Sequence, residues 1–415
     1  MTLSVAIVGS GMGGLAAAHF CRQNGCEVTV FEEQPGWGMD AHAVPVHGSR
    51  VDVPLRVMNS SAWNSVLSLA ADVGVGTYDI RTLISCSRSD RSTWFRSGRF
   101  PFTDRHFVGS LRYLDRRALR VVRTLYRLSR AAQALPDQDE EMLLRDYLAR
   151  EDLDPQVWRG MVLPMLITIC TCDEEHLLDW PAGQLFSLLR DILDGPGLVR
   201  LQGGTSALVD ALSRDLRRFS GSAVVEVVQR GDQVSVANAR GDGGLFDRVI
   251  LATQANQLDF LDDGQFGAER EVLSGIRFAD GELVTHSDER FMPRDPRDWT
   301  ALNFQTDAAM DRVMFTVWIN AVEPGMPPDA PVFQTWNPIF PPADDRVIDR
   351  TPLQRAVVHA GTDAVLREMD RWHRAPGRRV FYCGSWAYEG VPLLETAVQS
   401  ARRVAELATG PIPPA

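Results

Sequence analysis

Four short runs of nearly continuous apolar residues stand out in the pattern of hydrophobic and polar positions along the chain. They cover residues 5–8, 27–32, 246–253 and 379–384. Runs of this kind are typical of strands that are buried on both faces of a parallel sheet. The first two flank a small-residue stretch that ends at Phe20. Together these three segments predict a complete βαβ unit at the start of the chain.

Apolar residues at helical spacing dominate the middle of the sequence. They predict helices over 111–135, 140–150, 156–169 and 181–193, and further helices over 63–73, 203–219 and 395–408. A hairpin with Gly48 and Ser49 at its turn is predicted for residues 44–53. Between residues 256 and 374 the pattern is mixed, with strand-like pieces among proline-rich loops.

The order of these elements predicts an α/β protein whose chain returns twice to one nucleotide-binding domain. We assign residues 1–75, 195–255 and 375–415 to this Rossmann-type domain with its parallel sheet. Residues 76–194 are assigned to a helical cap, and residues 256–374 to a mixed α+β substrate domain. A chain of 415 residues exceeds what one hydrophobic core usually supports, so more than one domain is expected.

The turn after the first strand carries the chemistry of a dinucleotide site. Gly9, Gly11 and Gly14 fit the G-x-G-x-x-G pattern. Its glycines allow a sharp turn, a close approach of backbone N–H groups to a pyrophosphate, and close packing of helix on strand. Glu32 ends the second strand, where a carboxylate can accept both hydroxyls of an adenosine ribose. An acid at this position disfavours a 2′-phosphate, and therefore NADP.

The amino-acid composition argues against several classes of function. The formal net charge of -11 argues against nucleic acid as the main partner. None of the 43 basic residues is a lysine, which excludes Schiff-base chemistry and a lysine general base. The six cysteines lack C-x-x-C spacing, so we expect neither disulfides nor a metal site. The first strand leaves no room for a signal peptide and no apolar run is long enough to span a bilayer, so a cytoplasmic location is expected.

The predicted helix over residues 111–135 is unusually basic, with seven arginines interleaved with leucine, valine and tyrosine. One interpretation is a contact with a membrane surface or with a carrier protein that presents the substrate. The other, which we favour, is a solvated arginine face on a packed helix.

Taken in order, these segments resemble the FAD-containing amine-oxidase-like superfamily, which includes phytoene desaturases and fatty-acid double-bond isomerases. Within it they are most similar to a bacterial branch described as predicted NAD/FAD-binding proteins. The resemblance rests on the N-terminal unit ending at Glu32 and on residues 201–205, 246–253, 379–384 and 395–401; residues 283–288, 292–293 and 336–338 suggest the branch. It implies that the Rossmann-type domain binds FAD.

The resemblance also implies roles for individual residues along the cofactor. Val225 would pair its backbone with the adenine, and Gly384 would let the chain pass the ribityl-pyrophosphate. The helix that contains Val398 would direct its N-terminal amides at the flavin C2 carbonyl. Gly36 and Gly38 would lie against the flavin.

Three departures from the superfamily pattern bear on the reaction. Met39 and Asp40 follow Gly38 where many members have Gly-Gly-Arg. Ser385 stands where an acid commonly contacts the cofactor, which removes one charged contact. The lysine that many amine oxidases place near flavin N5 cannot exist in this chain, which disfavours amine oxidation of that type.

Several residues are candidates for substrate chemistry. Arg56 follows the loop nearest the predicted flavin and could hold a substrate carboxylate or enolate, or could form a salt bridge within the fold. His42 and His286 could act as bases near neutral pH, or could be hydrogen-bonded structural histidines. The aromatic residues that could wall an apolar substrate pocket, or simply pack in the core, are Trp299, Trp336 and Tyr388.

Three function hypotheses follow. The leading one is an FAD-dependent oxidase or desaturase that removes a hydride from a hydrophobic, specialised-metabolite or lipid-like substrate. The second is a redox-neutral double-bond isomerase, in which the flavin takes a hydride and returns it. The third is a non-catalytic flavoprotein or partner-binding module, which the departures at Met39 and Ser385 make conceivable.

Overall fold

A computed structural model of the chain describes residues 2–99, 106–108, 111–138, 141–194 and 197–410. The strands are β1 Ser4–Val8, β2 Glu27–Glu32, β3 Val44–Val46, β4 Ser49–Val51, β5 Thr77–Asp79, β6 Ile84–Ser87, β7 Thr93–Arg99, β8 His106–Val108, β9 Val199–Leu201, β10 Arg217–Ser220, β11 Val224–Arg230, β12 Gln233–Asn238, β13 Gly243–Phe246, β14 Arg248–Leu251, β15 Arg277–His286, β16 Leu302–Thr306, β17 Val313–Trp318, β18 Phe333–Trp336, β19 Val347–Val357 and β20 Val380–Tyr382. The helices are α1 Met12–Gln23, α2 Asn64–Asp72, α3 Arg116–Gln138, α4 Leu144–Arg150, α5 Pro155–Val157, α6 Leu163–Cys170, α7 Glu174–Leu178, α8 Ala182–Asp194, α9 Gly204–Ser213, α10 Asp263–Leu273, α11 Thr362–His373 and α12 Leu394–Thr409. The predicted domain boundary at residue 195 lies outside the described residues.

A five-stranded sheet with the order β10-β2-β1-β14-β20 organises the domain that was predicted to bind a nucleotide. All four of its strand pairs are parallel. Its strands come from three distant segments of the chain, and their apolar side chains are buried against helices α1, α9 and α12 on one face. The predicted βαβ unit and the predicted parallel sheet are therefore confirmed.

Glycine sets the path of the chain from β1 into α1. Gly9 has a positive φ of 95°, a conformation that side chains rarely adopt. A Cβ atom on Gly14 would lie 2.0 Å from the carbonyl oxygen of Gly9, which is far inside contact distance. The helix can therefore pack this closely against the turn only with glycine at position 14.

The helix predicted over residues 203–219 is shorter than expected. It ends at Ser213, and Asp215 takes a left-handed φ of 59° that reverses the chain. The next residues form β10, whose Phe219 is paired with Phe31 of β2. The open edge of β2 thus imposes the extended conformation, and sequence pattern alone did not reveal that edge.

The predicted hairpin is present, but its turn lies one residue earlier than expected. Val46 is paired with Ser49, so His47 and Gly48 form the turn. Both have positive φ angles, 48° and 80°. Two such residues give the type I′ geometry that matches the twist of paired strands.

The second large sheet has eight strands in the order β19-β15-β18-β17-β16-β6-β7-β8. Strands β6 to β8 come from the segment that was assigned to a helical cap, so that segment is only partly helical. Trp94 and Phe304 of this sheet belong to the same buried cluster as Leu128 of α3 and Phe186 of α8. The cap helices and the substrate sheet therefore share one hydrophobic core.

Helix α3 has apolar as well as basic residues on its outer face. Leu119, Val122 and Tyr126 are 70%, 63% and 61% exposed. They lie among exposed arginines, of which Arg120 pairs with Asp154 at 3.0 Å. The surface is therefore not a purely solvated arginine face, and a membrane or carrier-protein contact stays a prediction. Over the residues that the structure describes, no helix combines the length and apolarity needed to cross a bilayer.

Replacing Gly14 with alanine tests the close contact at the turn. The new methyl group overlaps the Gly9 carbonyl, so we expect Gly14→Ala to lower the free energy of unfolding by about 1–3 kcal/mol. The matched control is Gly267→Ala, because Gly267 lies within α10 and its Cβ would meet no atom within 4 Å. We expect the control to melt at or above the wild-type temperature. Equal melting temperatures for both variants would contradict the packing argument.

Candidate functional site

The N-terminus of α1 faces open space. Gly11 is the N-cap, and no side chain caps the helix. A Cβ on Gly11 would meet no protein atom within 4 Å. Free backbone N–H groups and the positive end of a helix dipole therefore border a space that protein atoms do not fill, as in sites for phosphate groups.

Glu32 lies beside this space and is buried, with 7% of its surface exposed. Its Oε2 accepts hydrogen bonds from the Ser10 amide at 2.8 Å and the Ser10 hydroxyl at 2.5 Å. Its Oε1 accepts one hydrogen bond, from the Gln34 amide at 2.8 Å, so this oxygen retains a free lone pair. A Cβ on Gly38 would lie 2.7 Å from Oε2 of Glu32, so Gly38 packs against this carboxylate. The predicted contact of Gly38 with the flavin stays a prediction.

Buried polar atoms without a partner continue along the same surface. They are Ser222 Oγ and Thr253 Oγ1. The Ser222 amide contacts the carbonyl of Glu32 at 3.4 Å, and Thr253 Cγ2 lies 3.5 Å from the Cβ position of Gly9. Because buried polar atoms are nearly always paired in folded proteins, these positions fit a ligand that supplies hydrogen-bond partners. The sequence analysis missed them, since nothing in their local pattern is distinctive.

Two predicted cofactor contacts lie in exposed segments. Val225 occupies a β-bulge between Val224 and Glu226, and 54% of its surface is exposed. Gly36 is exposed in the loop after β2, and a Cβ there would meet nothing within 4 Å. The proposed contacts of Val225 with adenine and of Gly36 with the flavin stay predictions.

The C-terminal strand and helix meet the glycine turn directly. Gly384 has a φ of 150°, and its Cα lies 3.3 Å from the Cβ position of Gly13. Val398 is buried in the core behind this contact, with 1% of its surface exposed. The carbonyl of Ser385 accepts a hydrogen bond from the Thr396 hydroxyl at 3.0 Å, which ties residue 385 to the start of α12.

The neighbouring cysteine is not reactive in this environment. Cys383 is buried under the turn, with its thiol 3.7 Å from the carbonyl oxygen of Gly13. Burial raises the pKa of this thiol to about 12, so the thiolate is scarce near neutral pH. Core packing is therefore its role.

The main chain that carries Arg56 is held rigidly. Arg200 donates to the carbonyl of Arg56 at 3.0 Å, and the Gln334 side chain accepts from the Leu55 amide at 2.8 Å. Gln334 also donates to the carbonyl of Asp52 at 2.9 Å. The Arg56 Nε atom itself is buried and has no hydrogen-bond partner. The alternative role of Arg56 in a salt bridge within the fold is therefore not supported among the described residues.

His42 lies near the same positive charge. The residue as a whole is exposed, but its ring is partly enclosed. The pKa of His42 is lowered by this partial burial and by the charges of Arg355 and Arg56, while Asp349 raises it. Arg355, on β19, was missed by the sequence analysis, because it lies in a mixed segment without a recognisable motif. The fold thus brings Arg56, His42 and Arg355 together.

His286 is separate from this group and serves as a core residue. It has no exposed surface, and its Nδ1 accepts the Asp288 amide at 3.2 Å. We infer that the proton lies on Nε2, which then donates to Thr335 Oγ1 at 3.0 Å. Both nitrogens are occupied, and burial lowers the pKa of His286 to about 4. This environment does not support the expected role as a base.

The three aromatic candidates have different surroundings. Trp299 donates to the carbonyl of Pro293 at 2.9 Å and packs edge-on against Trp318, so it belongs to an aromatic cluster of the sheet. Trp336 packs in a buried cluster with Val53, and its Nε1 has no partner. Tyr388 is half-buried after the turn that follows β20. Of the three, Trp336 is best placed to line a pocket near Arg56.

Metal-binding chemistry finds no support in the described ranges, where no group of three or more His, Cys, Asp or Glu side chains could hold an ion.

Comparison with known proteins identifies the fold. Residues 7–72 match the family described as NAD(P)-binding Rossmann-like domain. The structure is similar to that of cyclohexylamine oxidase from Brevibacterium oxydans IH-35A, with a TM-score of 0.69, 11% identity and 99% of each chain covered. It is also similar to putrescine oxidase bound to putrescine (TM-score 0.68, 14% identity, 98% of each chain). An oxidoreductase from Methanosarcina mazei gives a TM-score of 0.67 at 12% identity over 97% of this chain and 100% of that one.

No curated protein matches the sequence of this chain. At identities of 11–14% the structural similarity establishes the fold alone. It does so over nearly the whole chain, so the predicted fold class is confirmed.

The structural role of His286 predicts a pH dependence of stability. Its folded pKa of about 4 lies below its ordinary value of 6.5, so the unfolded chain takes up a proton first as the pH falls. Stability from this group is complete above pH 6.5 and is lost towards pH 4, by up to roughly 3 kcal/mol. In His286→Asn, the amide oxygen can still accept the Asp288 amide. We expect the melting temperature of this variant to fall less steeply than that of the wild type between these pH values.

Equal slopes of melting temperature against pH in His286→Asn and in the wild type would contradict the structural role of His286.

Proposed function

We propose that this protein is an FAD-dependent oxidoreductase that transfers a hydride from a hydrophobic substrate to the flavin. The observation that carries the proposal is the open space at Gly11, bordered by the uncapped end of α1 and continued by Glu32 and by unpaired atoms of Ser222 and Thr253. A chain of hydrogen-bonding groups along one surface suits a dinucleotide. The oxidases that share the fold support FAD as the cofactor and oxidation as the reaction.

Different residues along this surface would bind different parts of the cofactor. The remaining lone pair of Glu32 would accept a ribose hydroxyl, and the α1 amides would hold the pyrophosphate. Gly384 would let the chain pass close to the cofactor, and the N-terminus of α12 would stabilise negative charge on the reduced ring. FAD, when bound, supplies the hydride acceptor.

An apolar pocket is supported beside the substrate end. Val53, three residues before Arg56 in the chain, forms a small buried cluster with Leu283 and Trp336. A hydrophobic substrate, free or presented by a carrier protein at α3, is the ligand class that we propose for it. Arg56 and His42 are the candidates for substrate contact and for proton transfer.

The visible spectrum of the purified protein tests the cofactor. We expect a flavin absorption band, and release of FAD on heating. A colourless protein that takes up no added FAD would contradict the proposal. Anaerobic incubation with a substrate then separates the reaction types, because an isomerase turns over repeatedly without an acceptor whereas an oxidase stops after one reduction.

Gly11→Ala tests the cofactor site without disturbing the fold. The backbone of Gly11 has φ -65° and ψ -176°, which alanine adopts freely, and its methyl group would project into the open space. We expect FAD affinity to fall by about five- to 150-fold, the effect of a steric cost of about 1–3 kcal/mol. The cofactor-free variant should melt like the cofactor-free wild type, in contrast to Gly14→Ala. Unchanged FAD affinity in Gly11→Ala would place the pyrophosphate elsewhere.

A further inference from the structure

Two enclosed arginines near the substrate end, Arg56 and Arg355, form no ion pair among the described residues. Arg56 and Arg355 each have a buried Nε without a hydrogen-bond acceptor. In the parts of the chain that the structure describes, neither guanidinium forms an ion pair or donates a side-chain hydrogen bond. Both side chains are surrounded by protein yet keep some accessible surface, the combination expected of groups that line an internal chamber.

A buried charge without a counter-charge is unfavourable, and two of the same sign are more so. Burial lowers the pKa of Arg355 to about 10, and the charge of Arg56 adds to this effect. Burial lowers the pKa of Arg56 as well; the carboxylate of Asp52, which contacts Arg200 and not Arg56, opposes this effect only in part. Both groups still carry a proton near neutral pH, so the chain holds two positive charges together in its interior.

Arg200 provides the contrast within the same region. It is buried to 1% exposure, and its guanidinium contacts Glu323 at 2.5 Å and Asp52 at 3.4 Å. The chain therefore neutralises this buried arginine fully and fixes the Arg56 backbone with it. The missing partners of Arg56 and Arg355 are a local feature of the chamber.

An apolar cluster lies next to the two arginines. Leu353 lies two residues before Arg355 on β19, so the two side chains share one face of the strand. Leu353 packs against the cluster of Val53, Leu283 and Trp336. The indole Nε1 of Trp336 is a further buried donor without a partner. Cationic and donor groups thus adjoin an apolar surface.

We propose that Arg56 and Arg355 form a subsite for the carboxylate of an otherwise apolar substrate, whose hydrocarbon part lies on the cluster of Val53, Leu283, Trp336 and Leu353. The planar guanidinium groups match the two oxygens of a carboxylate. This inference rests on the proposed function, because it assigns the substrate class of that oxidoreductase.

Ligand titration of the purified protein with its bound flavin tests the subsite. The probes are octanoate, the neutral octanamide and octyl phosphate, followed by flavin absorbance and by tryptophan fluorescence. We expect octanoate to bind at least about tenfold more tightly than octanamide, as charge-assisted hydrogen bonds imply. Arg355→Gln and Arg56→Gln should each remove this preference, and Arg355→Lys should restore part of it.

The matched control is Arg350→Gln. Arg350 lies on the same strand, is partly exposed and pairs with Glu282 at 2.7 Å, so its loss should leave octanoate affinity unchanged. Equal binding of octanoate and octanamide would overturn the subsite, as would tighter binding of octyl phosphate than of octanoate. An Arg355→Gln protein that melts normally but loses FAD, while it keeps its octanoate affinity, would show that the charge of Arg355 serves the cofactor. This result would also overturn the subsite.

Failure of the proposed function gives a different result. A protein without flavin that still prefers octanoate in the fluorescence titration would retain the subsite and refute the FAD proposal. A flavoprotein that binds octanoate and octanamide equally would refute the subsite and retain the FAD proposal.

Discussion

Close backbone contact at the glycine turn is the constraint on which the rest of the structure depends. A Cβ on Gly9 would lie 2.8 Å from the carbonyl oxygen of Ala252, and one on Gly13 would lie 3.3 Å from Cα of Gly384. Three segments separated by hundreds of residues can therefore meet only because side chains are missing there. Their meeting places the end of α1, the unpaired hydroxyl of Thr253 and the start of the C-terminal helix on one surface.

The sequence was informative where structure is set locally. The β1–α1–β2 unit was predictable because its turn, helix and terminal Glu32 lie within about thirty residues. The end of α9 was not, because Phe219 becomes extended only by pairing with Phe31 of a distant strand. Predicted and observed strands and helices agree best where the element has a continuous apolar run or face of its own in the sequence.

Roles of single side chains were harder to predict, because they depend on partners distant in sequence. Residue type alone made His286 a candidate base, but Thr335, 49 positions away, and the Asp288 amide occupy its ring. Arg355 shows the opposite case. Nothing in its neighbourhood marks it, and its significance comes from the lack of a carboxylate near it in the folded chain. The position of Glu32 at the end of β2 was predictable, because it follows directly from the local unit, whereas its contact with a ribose stays a prediction.

The core shared by the cap helices and the eight-stranded sheet has a consequence for how ligands come and go. Trp94, Phe304 and Phe186 lie in one continuous cluster, so swinging the helices away from the sheet would expose these large side chains to water. Wide hinge opening is therefore energetically unfavourable. A ligand that reaches the interior would instead enter and leave while these two layers stay packed together, so rotation of side chains and small loop displacements would set the speed of its departure.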